Sequence, residues 1–154
     1  MFLCHLFFLG LIIIHLIFLM KGMLGRILTC GHGVPENLFR AMELFVSSGE
    51  KGNGRALYNL SVIYSTGEHF VEKNVEKHLN YMKRSAAAGY SNGQFQMGLA
   101  LNSGDSGLKC DKNEAQKFFK LAAKNGLVRA QYRLAVRFFF CKLLNSFSDS
   151  FFAK

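Results

Sequence analysis

Gly52-Asn53-Gly54-Arg55-Ala56-Leu57-Tyr58-Asn59-Leu60-Ser61-Val62-Ile63-Tyr64-Ser65-Thr66-Gly67 decides the fold, because the chain writes this stretch twice more. The second version is Gly89-Tyr90-Ser91-Asn92-Gly93-Gln94-Phe95-Gln96-Met97-Gly98-Leu99-Ala100-Leu101-Asn102-Ser103-Gly104. The third is Gly126-Leu127-Val128-Arg129-Ala130-Gln131-Tyr132-Arg133-Leu134-Ala135-Val136-Arg137-Phe138. The opening glycines Gly52, Gly89 and Gly126 stand at intervals of 37 residues. A fixed period of this size marks a repeat architecture. Within each version a small residue is followed by large ones at i+4 and i+8: Ala56, Leu60, Tyr64; Gly93, Met97, Leu101; Ala130, Leu134, Phe138. That spacing is helical and excludes a strand.

The segments between these stretches align as well. They read Arg40-Ala41-x-x-Leu44, Lys77-His78-x-x-Tyr81 and Ala115-Gln116-x-Phe118. Each runs into small residues and then a glycine: Ser48-Gly49-x-x-Gly52, Ser85-Ala86-x-x-Gly89 and Ala122-Ala123-x-x-Gly126. A large residue followed by small ones describes a helix packed closely on a neighbour, and the glycine beyond it suits a helix end. Each unit is therefore a pair of short helices, A and B, joined by a loop of about seven residues. Such hairpins cannot bury their faces alone and must stack.

The pattern resembles the Sel-one-like repeat (SLR), a relative of the tetratricopeptide repeat. The family signature pairs Leu-Gly with Tyr, Gly-x-Gly-Val, Lys-Ala, an aromatic and Ala-Ala. Its middle is matched by Leu24-Gly25-x-x-Leu28-x-x-Gly31-His32-Gly33-Val34-Pro35-Glu36-Asn37-x-x-Arg40-Ala41. A first helix A is therefore expected over residues 20–30. The match departs from the signature where Ser61 and Ala135 replace the Gly of the Leu-Gly pair, where His78 replaces Ala, and after Phe140. The resemblance implies an all-α, right-handed superhelical α-solenoid of TPR-like hairpins. Its repeats would cover about 20–52, 56–89 and 93–126, with a partial one at 130–141 and a tail or improvised cap at 142–154. Scaffold or adaptor work is the function the resemblance implies, with a partner segment held on the concave face lined by helices A.

The residues that would line that face recur with the period: Tyr58, Asn59 and Val62; Phe95, Gln96 and Leu99; Tyr132, Arg133 and Val136. Aromatic anchors beside polar groups are what a peptide groove needs. The alternative for the aromatics is packing between repeats.

Composition narrows the remaining choices. The chain has 154 residues, half of them apolar and 19% charged, so it is globular rather than disordered. Its net charge of +9 favours an acidic partner or an anionic lipid surface. Lys117, Lys120 and Lys124 share one helix face and Arg129, Arg133 and Arg137 another, forming a candidate basic patch. No base-reading motif or stacking platform accompanies the charge, so nucleic acid is not expected. Residues 1–20 carry no Lys, Arg, Asp or Glu. A helix from Phe2 to Met20 would be about 28 Å long, close to the ~30 Å hydrocarbon core. They are read as a signal anchor or transmembrane helix. With Lys21 and Arg26 behind it, the positive-inside rule places the repeats in the cytosol of a single-pass membrane protein. A cleaved signal and an endoplasmic-reticulum, secreted or mitochondrial location are the alternatives.

No nucleophile–base pair, phosphate loop or metal-ligand spacing is present in the motifs, so no catalytic residue, cofactor or metal is expected. Cys4, Cys30, Cys110 and Cys141 have no regular spacing and are read as thiols, with a Cys110–Cys141 pairing left open. The competing functions are a structural subunit of a larger membrane complex and, further off, an enzyme-regulatory or hydrolase-like SLR protein.

Overall fold

A computed structural model describes residues 20, 21, 23–25, 37–67 and 71–152, with the backbone alone at 141–152. The described residues form helices and no strand: α1 (Leu38–Gly49), α2 (Gly54–Thr66), α3 (Val75–Ala87), α4 (Ser91–Ser103), α5 (Lys112–Lys124) and α6 (Val128–Phe152). Residues 20, 21 and 23–25 are helical too, which agrees with a helix A starting near residue 20; residues 26–30 of that helix lie outside the described ones. The expected membrane segment at 2–20 also lies outside them, save Met20. Among the described residues no helix is long and apolar enough to cross a membrane.

The helix boundaries follow from local chemistry that repeats with the sequence. Asn37, Asn74 and Asp111 precede α1, α3 and α5, and each side chain accepts a backbone N–H from the first turn. Asn53 does the same for α2. Such caps satisfy N–H groups that have no partner within the helix, and each contributes about 0.5–2 kcal/mol. Helix α2 stops at Gly67, whose φ of +70° only glycine adopts without strain. Gly104 after α4 has a φ of +73°. Beyond these turns the loop is tied back: the Asn74 N–H donates to the Tyr64 carbonyl, and the Asp111 N–H to the Leu101 carbonyl.

Helix α6 departs from this scheme. The position in register with Gly67 and Gly104 is Cys141, and the backbone continues as helix to Phe152. Residues 142–152 are therefore a continuation of α6 rather than a separate tail.

The chain divides into two compact units, residues 1–93 and 94–154. In the first, Ala41, Phe45, Ala56, Leu60 and Ile63 form a core closed by Leu38, Met42, Val46, Val71 and Tyr81. In the second, Phe95, Met97, Ala100, Leu101, Ala115, Phe119, Ala122 and Ala130 are buried. The stripe read from the sequence is thus buried on α4, buried on α2 except for the half-buried Tyr64, and only partly buried on α6. Ala130 is buried and Leu134 half-buried, whereas Phe138 is 72% exposed.

The B-helix register also shifts. The sequence pointed to Leu44, Tyr81 and Phe118 as the packed large residues. The structure buries Phe45, Met82 and Phe119 instead, one residue on, and leaves those three half-buried. The face of helix B is set by Ala41, Phe45, Ser48 and their equivalents, at i, i+4 and i+7.

Candidate functional site

The second unit contains a groove of about 610 Å³. Phe95 and Asn102 of α4, Gln116 and Phe119 of α5, and Arg129, Tyr132, Arg133, Leu134, Val136, Arg137 and Phe140 of α6 line it. Its floor is aromatic. The Phe95 and Phe119 rings meet at 5.5 Å, tilted by 56°. Two guanidinium groups cover them: Arg129 lies 5.0 Å from the Phe95 ring and Arg133 lies 4.7 Å from the Phe119 ring. Arg129, Arg133 and Arg137 are four residues apart, so they rise along α6 in steps of about 6 Å. A guanidinium resting on a ring face keeps its N–H edge outward, which pre-sets a fork for a carboxylate. No Asp or Glu is among the lining residues. No described carboxylate forms an ion pair with the three arginines; Arg40–Glu43, at 2.7 Å, lies in the other unit.

The groove brings together part of what the sequence put on the concave face. Tyr132, Arg133 and Val136 line it, and Phe95 forms the floor at 5% exposure. Phe95 is therefore a packed ring, not a free anchor. Gln96 and Leu99 are half-buried outside the lining. Tyr58, Asn59 and Val62 lie in the first unit. There the Tyr58 ring packs on Tyr90 at 5.5 Å, Val62 is exposed, and the buried Asn59 Nδ2 has no hydrogen-bond partner among the described residues. The basic patch divides likewise. Arg129, Arg133 and Arg137 belong to the groove, while Lys117, Lys120 and Lys124 are exposed on α5 outside it. Phe119 and Gln116 were missed. The period carries no signal that prefers Phe119, because Phe118 stands equally 37 residues beyond Tyr81 in the register of Leu44.

The fold also brings together a serine–histidine pair that no sequence motif announces. Ser61 Oγ lies 3.0 Å from His78 Nδ1, and the Ser61 carbonyl oxygen lies 2.9 Å from the same nitrogen. The carbonyl can only accept, so that contact needs the proton on Nδ1, which then cannot take one from the hydroxyl. Ser61 is 1% exposed. The arrangement suits packing and not a nucleophile with its base. Among the described residues no three His, Cys, Asp or Glu side chains converge on a metal position. Cys110 is a free, exposed thiol, and the side chain of Cys141, its suggested partner, lies outside the described residues.

The Sel1 repeat matches residues 23–53, 54–90, 91–127 and 128–141. The chain belongs to the Sel1-repeat family. An F-box protein of Arabidopsis thaliana is 40% identical over 106 residues, which are 68% of this chain and 27% of the relative. A sel1-like repeat-containing protein of Acanthamoeba polyphaga mimivirus is 30% identical over 131 residues, 83% of this chain and 22% of the relative. The chain thus spans about a quarter of the length of these curated relatives. Among solved structures, the Sel1 repeat protein from Oxalobacter formigenes aligns with a TM-score of 0.66 at 24% identity, covering 71% of this chain and 43% of its own. The protective antigen c5321 of uropathogenic Escherichia coli, which displays an SLR fold, aligns with a TM-score of 0.66 at 27% identity, covering 79% and 26%. The SLR fold follows for this chain. Proteins built from SLR repeats are generally protein-interaction scaffolds and typically non-catalytic.

Proposed function

We propose that this Sel1-repeat chain is a non-catalytic scaffold that holds an acidic, aromatic-containing segment of a partner protein in the α4–α5–α6 groove. One observation carries the reading: two guanidiniums lie over an aromatic floor, beside a third arginine, in a lining that has no carboxylate. Apolar side chains of the segment would cover Phe95, Val136 and Phe140 while its carboxylates meet the arginine row. Charge pairs of this kind set partner choice and association rate, and they weaken with salt. The test is fluorescence anisotropy of the full chain with a labelled dodecapeptide that interleaves Glu with Phe and Leu. The same peptide with Gln for Glu is the control. The Glu peptide is expected to bind at least about tenfold tighter at low salt, and Arg133→Glu to remove most of that advantage. Equal binding of the two peptides, or no loss in Arg133→Glu, would sink the reading.

Tethering by residues 2–20 belongs to the same proposal, supported by the absence of charge over residues 1–20. Resistance of the protein to alkaline extraction, with digestion of a tag after Lys154 from outside sealed vesicles, is the expected result. Release into the supernatant would remove the anchor from the proposal.

A further inference from the structure

The cations of the groove are all of one kind. The chain is richer in Lys than in Arg, yet Arg129, Arg133 and Arg137 line the groove and no Lys does. A lysine supplies a point charge, whereas a guanidinium also supplies a planar fork of N–H donors. Two of these forks are held in place. Arg129 rests on the Phe95 ring and Arg133 on the Phe119 ring, and the two ring centres are 5.5 Å apart. Arg137 follows one turn beyond Arg133 and is exposed. Two amides join the row: Asn102 of α4 and Gln116 of α5. Both are half-buried, and neither side chain has a hydrogen-bond partner among the described residues. The groove therefore offers more donors, fixed in direction, than the two oxygens of one carboxylate can accept from.

We infer that the acidic segment held in this groove carries a phosphorylated serine or threonine, whose phosphoryl group is shared between neighbouring arginines. The inference rests on the reading of the groove as a peptide site and names the chemistry of its occupant. A carboxylate has two oxygens and one negative charge, which a single guanidinium fork saturates. A phosphoryl group has three terminal oxygens and a charge of about −1.5 to −2 at pH 7. Arginines four residues apart stand about 6 Å apart along α6, so two of them can reach different oxygens of one such group. The remaining oxygen is left for an amide N–H of Gln116 or Asn102. A divalent group also relieves the repulsion between adjacent guanidiniums, which a monovalent one relieves only in part. A second copy of the chain is a poor occupant, because each copy carries a net charge of +9. Phosphorylation of the partner segment then switches its capture on.

The test is anisotropy of the full chain with labelled variants of the dodecapeptide that interleaves Glu with Phe and Leu. In one variant phosphoserine replaces a central Glu. In another two adjacent Glu stand there, supplying the same charge without the phosphoryl geometry. At pH 7.5 and low salt the phosphopeptide is expected to bind at least about tenfold tighter than the single-Glu peptide and about fivefold tighter than the two-Glu one. At pH 5 the phosphoryl group lies below its second pKa of about 6 and has lost a charge. Its advantage over the single-Glu peptide should then shrink to about threefold or less, because the Glu carboxylates stay ionised. Arg129→Lys and Arg133→Lys keep the charge and lose the fork. Each should weaken the phosphopeptide by at least about fivefold, and the single-Glu peptide by less. Circular dichroism checks that both variants keep their helix content. Equal binding of the phosphopeptide and the two-Glu peptide, or an undiminished advantage at pH 5, overturns the inference and leaves the groove reading in place. Indifference to Glu against Gln overturns both. The inference also falls if vesicles containing phosphatidic acid bind through Arg133 and the phosphopeptide does not displace them, because a lipid phosphate is then the occupant.

Discussion

The second and third hairpins meet the same packing problem with different chemistry. In the third, Gly98 on helix A faces Phe119 on helix B, with Ala115 fully buried one turn earlier. In the second, Ser61 stands where Gly98 does and His78 where Ala115 does. The two polar side chains contact each other, with Ser61 Oγ 3.0 Å from His78 Nδ1. Ser61 without His78 would leave its buried hydroxyl without this partner, and His78 supplies it. The two hairpins therefore fill the same register positions with different residue types, one apolar and one hydrogen-bonded. The comparison extends to α6, where the same register carries Ala135 and no described helix faces it.

The largest expected effect tests the apolar version. Phe119→Ala removes a buried ring that supports Phe95, Gly98 and Arg133 at once, and should lower stability by about 3–5 kcal/mol. Denaturant unfolding followed by circular dichroism measures it. A loss below about 1 kcal/mol would mean that the third hairpin is not held by this ring. The intermediate effect tests the polar version. His78→Ala leaves Ser61 unpaired and should cost about 1–3 kcal/mol. The double change Ser61→Gly/His78→Ala rebuilds the composition of the third hairpin and should cost less than the two single changes combined, by about 0.5 kcal/mol or more. Strict additivity in that cycle would separate the two residues and break the comparison. The smallest effect belongs to the exposed rings of α6. Phe139→Ser, at a 67% exposed ring, should shift stability by less than about 0.5 kcal/mol while reducing self-adhesion in solubility assays. A larger destabilisation would show that the rings of α6 are packed.

How far the sequence carried these features varies by element. The period, the helical hairpins and the SLR resemblance rested on Gly52, Gly89 and Gly126 and on the stripes from Ala56, Gly93 and Ala130. These are local signals, because turn geometry and helical spacing act over a few residues. The boundary of helix B was not read from the sequence, although Asn37, Asn74 and Asp111 recur at intervals of 37 residues and cap it. Phe95 was less legible: it occupies the same offset as Tyr58 and Tyr132, yet it is buried while Tyr132 is 72% exposed. Nothing at that offset says whether a ring, here Phe119, stands opposite. The basic patch shows the same limit. Six cations on two helix faces read as one feature, and only the arginines of α6 reach the groove.

The sequence by itself determined where helices start and stop, which residues repeat and which family the pattern resembles. Those properties depend on backbone dihedrals and neighbours along the chain. The tertiary structure alone decided that Ser61 pairs with His78, that Phe119 rather than Phe118 is the buried ring, and that Arg129, Arg133 and Arg137 share a groove. It also decided that Ala135 and Phe138 lie open. Each of these depends on what stands across a gap from a residue far off in sequence, and a spacing rule carries no information about that distance.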